Sequence, residues 1–416
     1  MQKRIYKTLQ RIASFNYKND TELFKKVIGE LVKDEKVKIS GGRVWKLCRE
    51  NNSYKILFQT GKVKRIKKDF ELSIEENNEL FSRIEEERTI NSTEINKELI
   101  SKGIFKYSAS GFGRKVKIGD AYYYEYLLAL STDNVNNEFL YILNIVSTLL
   151  TQKIKEKELS EKTDDLLLDL DKAQKLQQSL LPEHEYYFHD YCIYGITIPA
   201  KTLGGDFFDY LKIGEGENRL GIAVGDAASK GLDAAAEAMY ISGAIRMASY
   251  FQIKISALMS RLNNLINQIF SDDRFTTLFY GEISEDTKGL FLYANAGHNP
   301  PYLLKNKRKI IELHSTGPLL GPAPHSKYET DSVYFDAGDV LVIYSDGIVE
   351  AANNKFQFFG EARFKKLIRK FADMPPKMMA LSILEEVEKF TTLNGKYQDD
   401  ATLVIIKRKE KNETKR

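Results

Sequence analysis

The stretch 151–181 contains no glycine and no proline, and it limits what this chain can fold into more than any other segment. Leu159, Leu166, Ala173 and Leu180 recur every seventh residue, Leu170 and Leu176 fall at neighbouring spacing, and charged residues fill the remainder. The pattern predicts a long helix with an apolar seam, imperfect at Lys162 and Asp169, that Pro182 ends. One reading is an amphipathic helix lying on a domain surface. A two-stranded coiled-coil linker over 151–182 is preferred, because it covers the seam, and it carries the expectation of a homodimer.

A rod of that kind separates two folded parts, and 416 residues exceed what one core usually supports. The expected organisation is a domain over 1–150, the linker over 151–182, a larger domain over 183–406 and a disordered basic tail over 407–416. The 62 Lys and Arg nearly balance 58 Asp and Glu, which gives no reason to expect nucleic acid or membrane as a partner. Residues 1–70 are more basic, with 19 Lys/Arg against 7 Asp/Glu, and a solvated surface accounts for that. Two cysteines, Cys48 and Cys192, permit neither a disulfide framework nor a Cys-based zinc site. The N-terminus lacks an apolar core of signal-peptide length, and the longest apolar run, 139–150, is too short to span a bilayer. The expected location is the cytoplasm, with both thiols reduced.

Phe24, Val27, Ile28 and Leu31 repeat at helical spacing behind Asp20 and Thr21 as N-caps. Gly41-Gly42 is expected to break the chain. Strands at 44–48 and 54–58 follow, joined by the polar turn 49–53. A Glu-rich helical region over about 71–100, strands at 103–108 and 121–130 and a helix over 136–150 complete a small α+β domain. Its layout resembles a GAF-type sensory domain. Trp45, Asn51, Asn52 and the tyrosines at 122–124 fit core, turn and edge positions better than a ligand pocket.

Beyond Pro182, strand patterns at 192–198, 221–225, 279–283, 289–294, 340–344 and 398–406 alternate with a helical block over 234–270, broken near Ser249-Tyr250. Helices grouped between runs of strands, without βαβ alternation, predict an α+β sandwich. Four acidic signals share one local design: Gly204-Gly205-Asp206, Val224-Gly225-Asp226, Tyr344-Ser345-Asp346-Gly347 and Gln398-Asp399-Asp400-Ala401-Thr402. Each alone reads as a turn former or helix cap. Together they put several negative charges at one rim, and like charges that close need a cation. Hard carboxylate oxygens suit Mg2+ or Mn2+, and no nearby His/Cys pair argues for zinc.

Residues from about 176 to 406 resemble the SpoIIE/RsbU branch of the PPM, metal-dependent, protein serine/threonine phosphatases. Eight stretches in family order carry the resemblance. They are Gln178-Ser-Leu-Leu-Pro182, Pro199-Ala-Lys-Thr-Leu-Gly-Gly-Asp206-Phe-Phe-Asp209, Val224-Gly-Asp226-Ala-Ala-Ser-Lys-Gly231 and Phe275-Thr-Thr-Leu-Phe-Tyr280. Then come Tyr293-Ala-Asn-Ala-Gly-His-Asn-Pro-Pro301, Gly317-Pro-Leu-Leu-Gly321, Gly338-Asp-Val-Leu-Val-Ile-Tyr-Ser-Asp346-Gly-Ile-Val-Glu350 and Asp399-Asp-Ala-Thr402. The resemblance implies a PPM-type α-β-β-α sandwich with a binuclear Mn2+ or Mg2+ site. By position, Asp226 would bridge both ions, Asp206 and the Ala227 carbonyl would complete the second, and Asp346 and Asp399 would hold the first. Asp400 is the weaker candidate beside Asp399. The implied chemistry is in-line attack on phosphorus by a metal-activated water, with no covalent intermediate, which makes Asp226, Asp206 and Asp346 the catalytic set. Relatives in this branch act on small anti-sigma-factor antagonists. A phosphorylated antagonist-like protein is therefore the implied substrate, partner-switching control of a sigma factor the implied context, and the 1–150 domain the implied signal receiver.

Two positions depart from the family. Ser229 stands where glycine is common, and Ala228 where many metal-dependent phosphatases carry a His general acid. His298 is a possible substitute, although a His between Gly297 and Asn299 fits a hydrogen-bonding turn better. Lys201 reads as a solvated side chain rather than a phosphate contact, and Asp209 is left unassigned. The rival readings are a catalytically weak or silent PPM-fold scaffold that binds a signalling partner, motivated by Ser229, and a small-molecule phosphohydrolase.

Overall fold

The computed structural model describes residues 10–14, 17–33, 39–93, 97–101, 106–132, 135–214, 218–270, 274–285, 288–391 and 399–410. The chain divides into two compact units, Met1–Leu166 and Leu167–Arg416.

The first unit is built on β1 (Ile39–Cys48), β2 (Ser53–Gly61), β3 (Glu71–Ser73), β4 (Thr89–Thr93), β5 (Lys106–Ile118) and β6 (Ala121–Thr132). They form one antiparallel sheet in the order β3-β2-β1-β6-β5-β4. Helix α1 (Asp20–Lys33) buries Leu23, Phe24, Val27, Ile28 and Leu31, the stripe that its 3.6-residue spacing sets. These side chains share a core with Val44 and Leu128 of the sheet and with Phe139, Leu143 and Val146. Period-2 alternation sends Trp45, Leu47 and Leu127 to the other face, where they pack with Phe81 and Ile84 of α2 (Asn78–Glu87) and Leu99 of the short α3 (Lys97–Ser101). Each fully buried side chain of this size contributes about 2 kcal/mol.

Several expectations change here. Gly41 and Gly42 lie inside β1, paired with Gly61 and Thr60 on one side and, past a register shift, with Ser131 and Leu130 on the other. Ladder partners on both flanks outweigh the low strand propensity of glycine. The Glu-rich region is not one helix but β3, α2, β4 and α3, because 89–93 finds a strand partner in β5. The strand expected from Gly103 is described from Lys106, and 102–105 lie outside the described residues. No helix ends at 150. Helix α4 (Asn137–Leu180) runs for 44 residues, because nothing before Pro182 interrupts its hydrogen bonds. The division between units falls within this helix, at 166/167. Leu159, Leu166 and Leu176 of the seam are exposed in the single chain.

The second unit contains β7 (Glu185–Phe188), β8 (Tyr191–Ile198), β9 (Asp206–Ile213), β10 (Arg219–Ala227), β11 (Thr276–Ser284), β12 (Leu290–Ala296), β13 (Tyr302–Lys305), β14 (Lys309–Glu312), β15 (Asp331–Tyr334), β16 (Val340–Tyr344) and β17 (Ala401–Arg408). Two antiparallel sheets result, β15-β12-β11-β10-β9 and β14-β13-β16-β17-β8-β7. Their inner faces meet through Phe208, Val224 and Phe279 on one side and Ile193, Ile343, Val404 and Ile406 on the other. Helices α5 (Leu232–Ser249) and α6 (Ile255–Ile269) cover the outer face of the first sheet, with Ile241, Ile245, Leu258 and Leu262 packed on Phe207 and Leu278. After the four-residue α7 (Asp346–Val349), α8 (Glu361–Phe371) and α9 (Pro376–Thr391) cover the second sheet, with Phe364, Ile368 and Ile383 against Val342 and Leu403. The unit is an α-β-β-α sandwich.

The basic tail begins later than expected. Lys407 and Arg408 belong to β17, opposite Cys192 and Tyr191. Arg408 Nε lies 2.6 Å from Asp190 Oδ2, and Lys407 donates to the carbonyls of Ala372 and Met374. Residues 411–416 lie outside the described residues. Among the described residues, no helix is long and apolar enough to cross a membrane.

Candidate metal centre

Topology brings the four acidic signals to one end of the sandwich. Asp206 opens β9 and sits directly opposite Asp226 of β10, whose other neighbour is Thr277 of β11. Asp346 starts α7 at the end of β16, and Asp399 precedes β17, the strand beside β16. Ser345 ties these last two together: its hydroxyl donates to the Asp400 carbonyl at 3.1 Å and accepts from the Thr402 amide at 2.9 Å. A Cβ on Gly347 would lie 2.1 Å from the Asp400 carbonyl oxygen, so only glycine lets α7 begin this close to β17.

The glycine pair has a similar reason. A Cβ on Gly204 would come within 2.5 Å of Asp400 Oδ2, and one on Gly205 within 2.9 Å of the Ala227 carbonyl oxygen. The Asp400 carboxylate is occupied by this loop. Its Oδ1 accepts from the Ala200 amide at 2.8 Å and its Oδ2 from the Gly205 amide at 2.6 Å. Asp400 therefore holds the backbone that delivers Asp206. From the other side, the Gln177 amide donates to the Gly204 carbonyl at 2.6 Å. A cleft of about 310 Å3 opens here, lined by Asp206, Gln177, Pro199, Phe207 and Met239.

The electrostatics follow from burial and mutual proximity. Burial first, then Asp346 and Asp399, push the Asp226 carboxyl up to about 7. Burial and then Asp226 raise Asp206 well above the carboxylate range, partly offset by the neighbouring Ser345 and Thr402 side chains. Burial, then Glu350 and Asp399, raise Asp346. Asp206 is 3% exposed, and its Oδ2 has no hydrogen-bond partner. Lys230 Nζ stands 3.6 Å from Asp399 Oδ2, an exposed pair of small energetic weight. Among the described residues, no three His, Cys, Asp or Glu side chains already stand close enough to hold an ion. An orphaned buried carboxylate oxygen, all-oxygen donors and a backbone carbonyl kept accessible by Gly205 fit a hard divalent cation.

Asp209 has a different role from Asp206. An odd spacing on a strand puts the two side chains on opposite faces. Asp209 is 2% exposed on the helix side, where it pairs with Arg246 Nε at 2.5 Å and Nη2 at 3.1 Å and accepts from Ser242. Arg246 Nη2 also donates to the Leu180 carbonyl. His298 is 4% exposed, with Nδ1 2.9 Å from Thr277 Oγ1 and its backbone amide bonded to Asn295 Oδ1. Burial pushes its pKa down to about 4. The Tyr344 carbonyl nearby opposes that shift, yet Nε2 has no partner of hydrogen-bonding geometry. A neutral, enclosed imidazole is poorly placed to donate a proton to a leaving group. Ala228 and Lys201 are exposed.

Two residues that the sequence did not single out complete the loop after Asp226. Glu237 of α5 is 1% exposed, accepts from Ser229 Oγ and lies 2.7 Å from Arg274 Nη1. The signal was a charge in the apolar stripe of α5, beside Ala234, Ala238 and Ile241. Glu237→Ala is expected to destabilise the protein by about 2–3 kcal/mol, since Ser229 and Arg274 lose an acceptor. Ser229→Gly is expected to cost under about 1 kcal/mol. Thermal unfolding of both variants checks the order.

Residues 216–409 match the family model described as Stage II sporulation protein E (SpoIIE). Over 305 residues the chain is 29% identical to protein IcfG of Synechocystis sp., covering 66% of this chain and 46% of that protein. Over 242 residues it is 28% identical to phosphoserine phosphatase RsbU of Bacillus subtilis, covering 58% of this chain and 70% of that protein. The SiaA-PP2C domain of Pseudomonas aeruginosa superimposes with a TM-score of 0.51 at 20% identity, covering 59% of this chain and 98% of that domain. The second unit therefore has the PP2C-type fold.

Proposed function

We propose that the protein is a signal-regulated, metal-dependent phosphoprotein phosphatase that hydrolyses phosphoserine or phosphothreonine on an anti-sigma-factor antagonist-like partner. The observation that carries the reading is the set of acids around Asp226, together with the buried Asp206 oxygen that lacks a partner. The similarity to a phosphoserine phosphatase over 58% of the chain supports it. Two Mn2+ or Mg2+ ions would be held by Asp206, Asp226, the Ala227 carbonyl, Asp346 and Asp399. Such ions supply an acidified water nucleophile and neutralise phosphoryl oxygens.

This chain's residues do the positioning. Asp400 fixes the loop that presents Asp206, Gly205 keeps the Ala227 carbonyl within reach, and Ser345 locks Asp346 to the strand after Asp399. The Ser229–Glu237 bond gives serine a partner and so favours an active enzyme over a silent scaffold. The exposed seam of Leu159, Leu166 and Leu176 supports a linker that pairs two copies, with the first unit as receiver of the signal.

The test is phosphate release from a phosphoserine antagonist protein. Release is expected with Mn2+, and EDTA is expected to lower it by at least about a hundredfold. Unchanged release in EDTA would overturn the reading. Calorimetric titration with Mn2+ is expected to show two sites, whereas a silent scaffold would hold its partner without them.

A further inference from the structure

The sheet of the first unit carries a charge on a face that is otherwise apolar. Alternation along β1 puts Arg43 on the side of Trp45 and Leu47, and Arg43 is 8% exposed. Its Nη2 donates to a neutral acceptor, the Lys64 carbonyl, at 2.6 Å, and its Nε has no partner. Burial and then a second cation, Arg65, hold its pKa below the ordinary arginine value, and among the described residues no acid acts on it in return. A buried guanidinium without a counter-anion is costly, and proteins usually pair it or place it where a ligand supplies the charge.

Arg43 lines a cavity of about 60 Å3 whose remaining walls, Asn77 apart, are apolar, among them Trp45, Leu80, Ile84 and Leu127. The other polar wall residue, Asn77, gives its amide to the Ser73 carbonyl. The loop after β2, Lys62-Val63-Lys64-Arg65-Ile66-Lys67-Lys68, supplies the Ile66 wall and brings a run of cations to the rim. Gln59 pins it, donating to the Ile66 carbonyl at 2.6 Å and accepting from the Ile66 amide at 3.2 Å. The rim attracts anions, and the interior accepts an apolar body.

We propose that this cavity binds a small amphipathic carboxylic acid, its carboxylate on Arg43 Nε and its short branched chain against Trp45 and Leu127. The cavity is too small for a nucleotide. The site lies wholly in the first unit, and its test is independent of the phosphatase reading.

Trp45 is the chain's one tryptophan, so its emission reports the cavity directly. Titration of the full chain with isovalerate is expected to give a saturable change in that emission and a higher unfolding temperature. Isovaleramide, the neutral isostere, is expected to give neither at the same concentrations. Arg43→Met keeps the volume and removes the charge. It is expected to weaken the isovalerate response at least tenfold, with an unchanged or raised unfolding temperature in the absence of acid. Ala109→Leu, which fills the cavity and keeps Arg43, is expected to abolish the response while circular dichroism shows a folded chain. The proposal fails if isovalerate leaves Trp45 emission unchanged in the folded wild type. It fails equally if the amide acts as well as the acid, or if folded Arg43→Met responds like wild type.

Discussion

Asp226→Asn is expected to reduce phosphate release by roughly a thousandfold or more and, at the same time, to stabilise the ion-free protein. The first effect follows from its place among Asp206, Asp346 and Asp399, where no other donor can take over. The second follows from linkage. Exposed, the Asp226 carboxyl loses its proton near its ordinary value of 3.8; buried here, it does so at about 7. Between those values the folded chain holds a proton that the unfolded chain has released. Stability therefore falls as pH rises from about 4 to 7 and stays lowered above that. Asparagine carries no such charge, so the variant in EDTA at pH 8 is expected to melt roughly 5 °C higher than wild type. The difference should shrink towards pH 4. Calorimetry across pH, beside the release assay, checks both signs; a variant that is inactive and also less stable at pH 8 would contradict the account.

Arg246→Met is expected to destabilise the protein by about 2–4 kcal/mol, because it strands the Asp209 carboxylate inside the protein. The range is set below that of a fully enclosed pair because the arginine side chain is 38% exposed. Adding Asp209→Leu should recover much of the loss, since removing both partners leaves no orphaned charge. Activity should fall along with stability in the single variant, because β9 carries Asp206 at its start. Urea unfolding followed by circular dichroism measures the cycle. A single variant as stable as wild type would remove Asp209 from the list of buried charges that need a partner.

Much of the second unit was legible in the chain, for a local reason. Its strands are short apolar runs, and Asp206, Asp226 and Asp346 each follow such a run or a glycine pair, so short-range patterns sufficed to single them out as candidates, whereas Asp399 stands just ahead of its strand. What was not legible depended on partners distant in sequence. The Asp400 carboxylate is occupied by amides at 200 and 205, which no pattern around 400 reveals. Glu237 is understood only with Arg274 beside it. Asp209 is the instructive case, because the odd spacing from Asp206 already placed it on the opposite face of a strand. In the first unit, Gly41-Gly42 resembled a break until ladders on both sides were visible. Residues 71–100 were misread because Glu-rich composition speaks for helix while pairing with β5 decides for strand.

The position of β17 sets an order of assembly. It is a central strand, between β16 and β8, and with the two acids just before it, it completes the clamp on the Asp206 loop and would complete the proposed donor set. A ribosome delivers β8, β9, β10 and β16 well before it delivers 399–408. Until then the six-stranded sheet has a gap at its middle, and the glycine pair has no carboxylate to hold it. Folding intermediates of this unit would thus be blind to divalent ions, and ion-dependent stabilisation should appear only in the last cooperative step. A misassembled or nicked chain that lacks this strand would then be inert rather than an unregulated hydrolase.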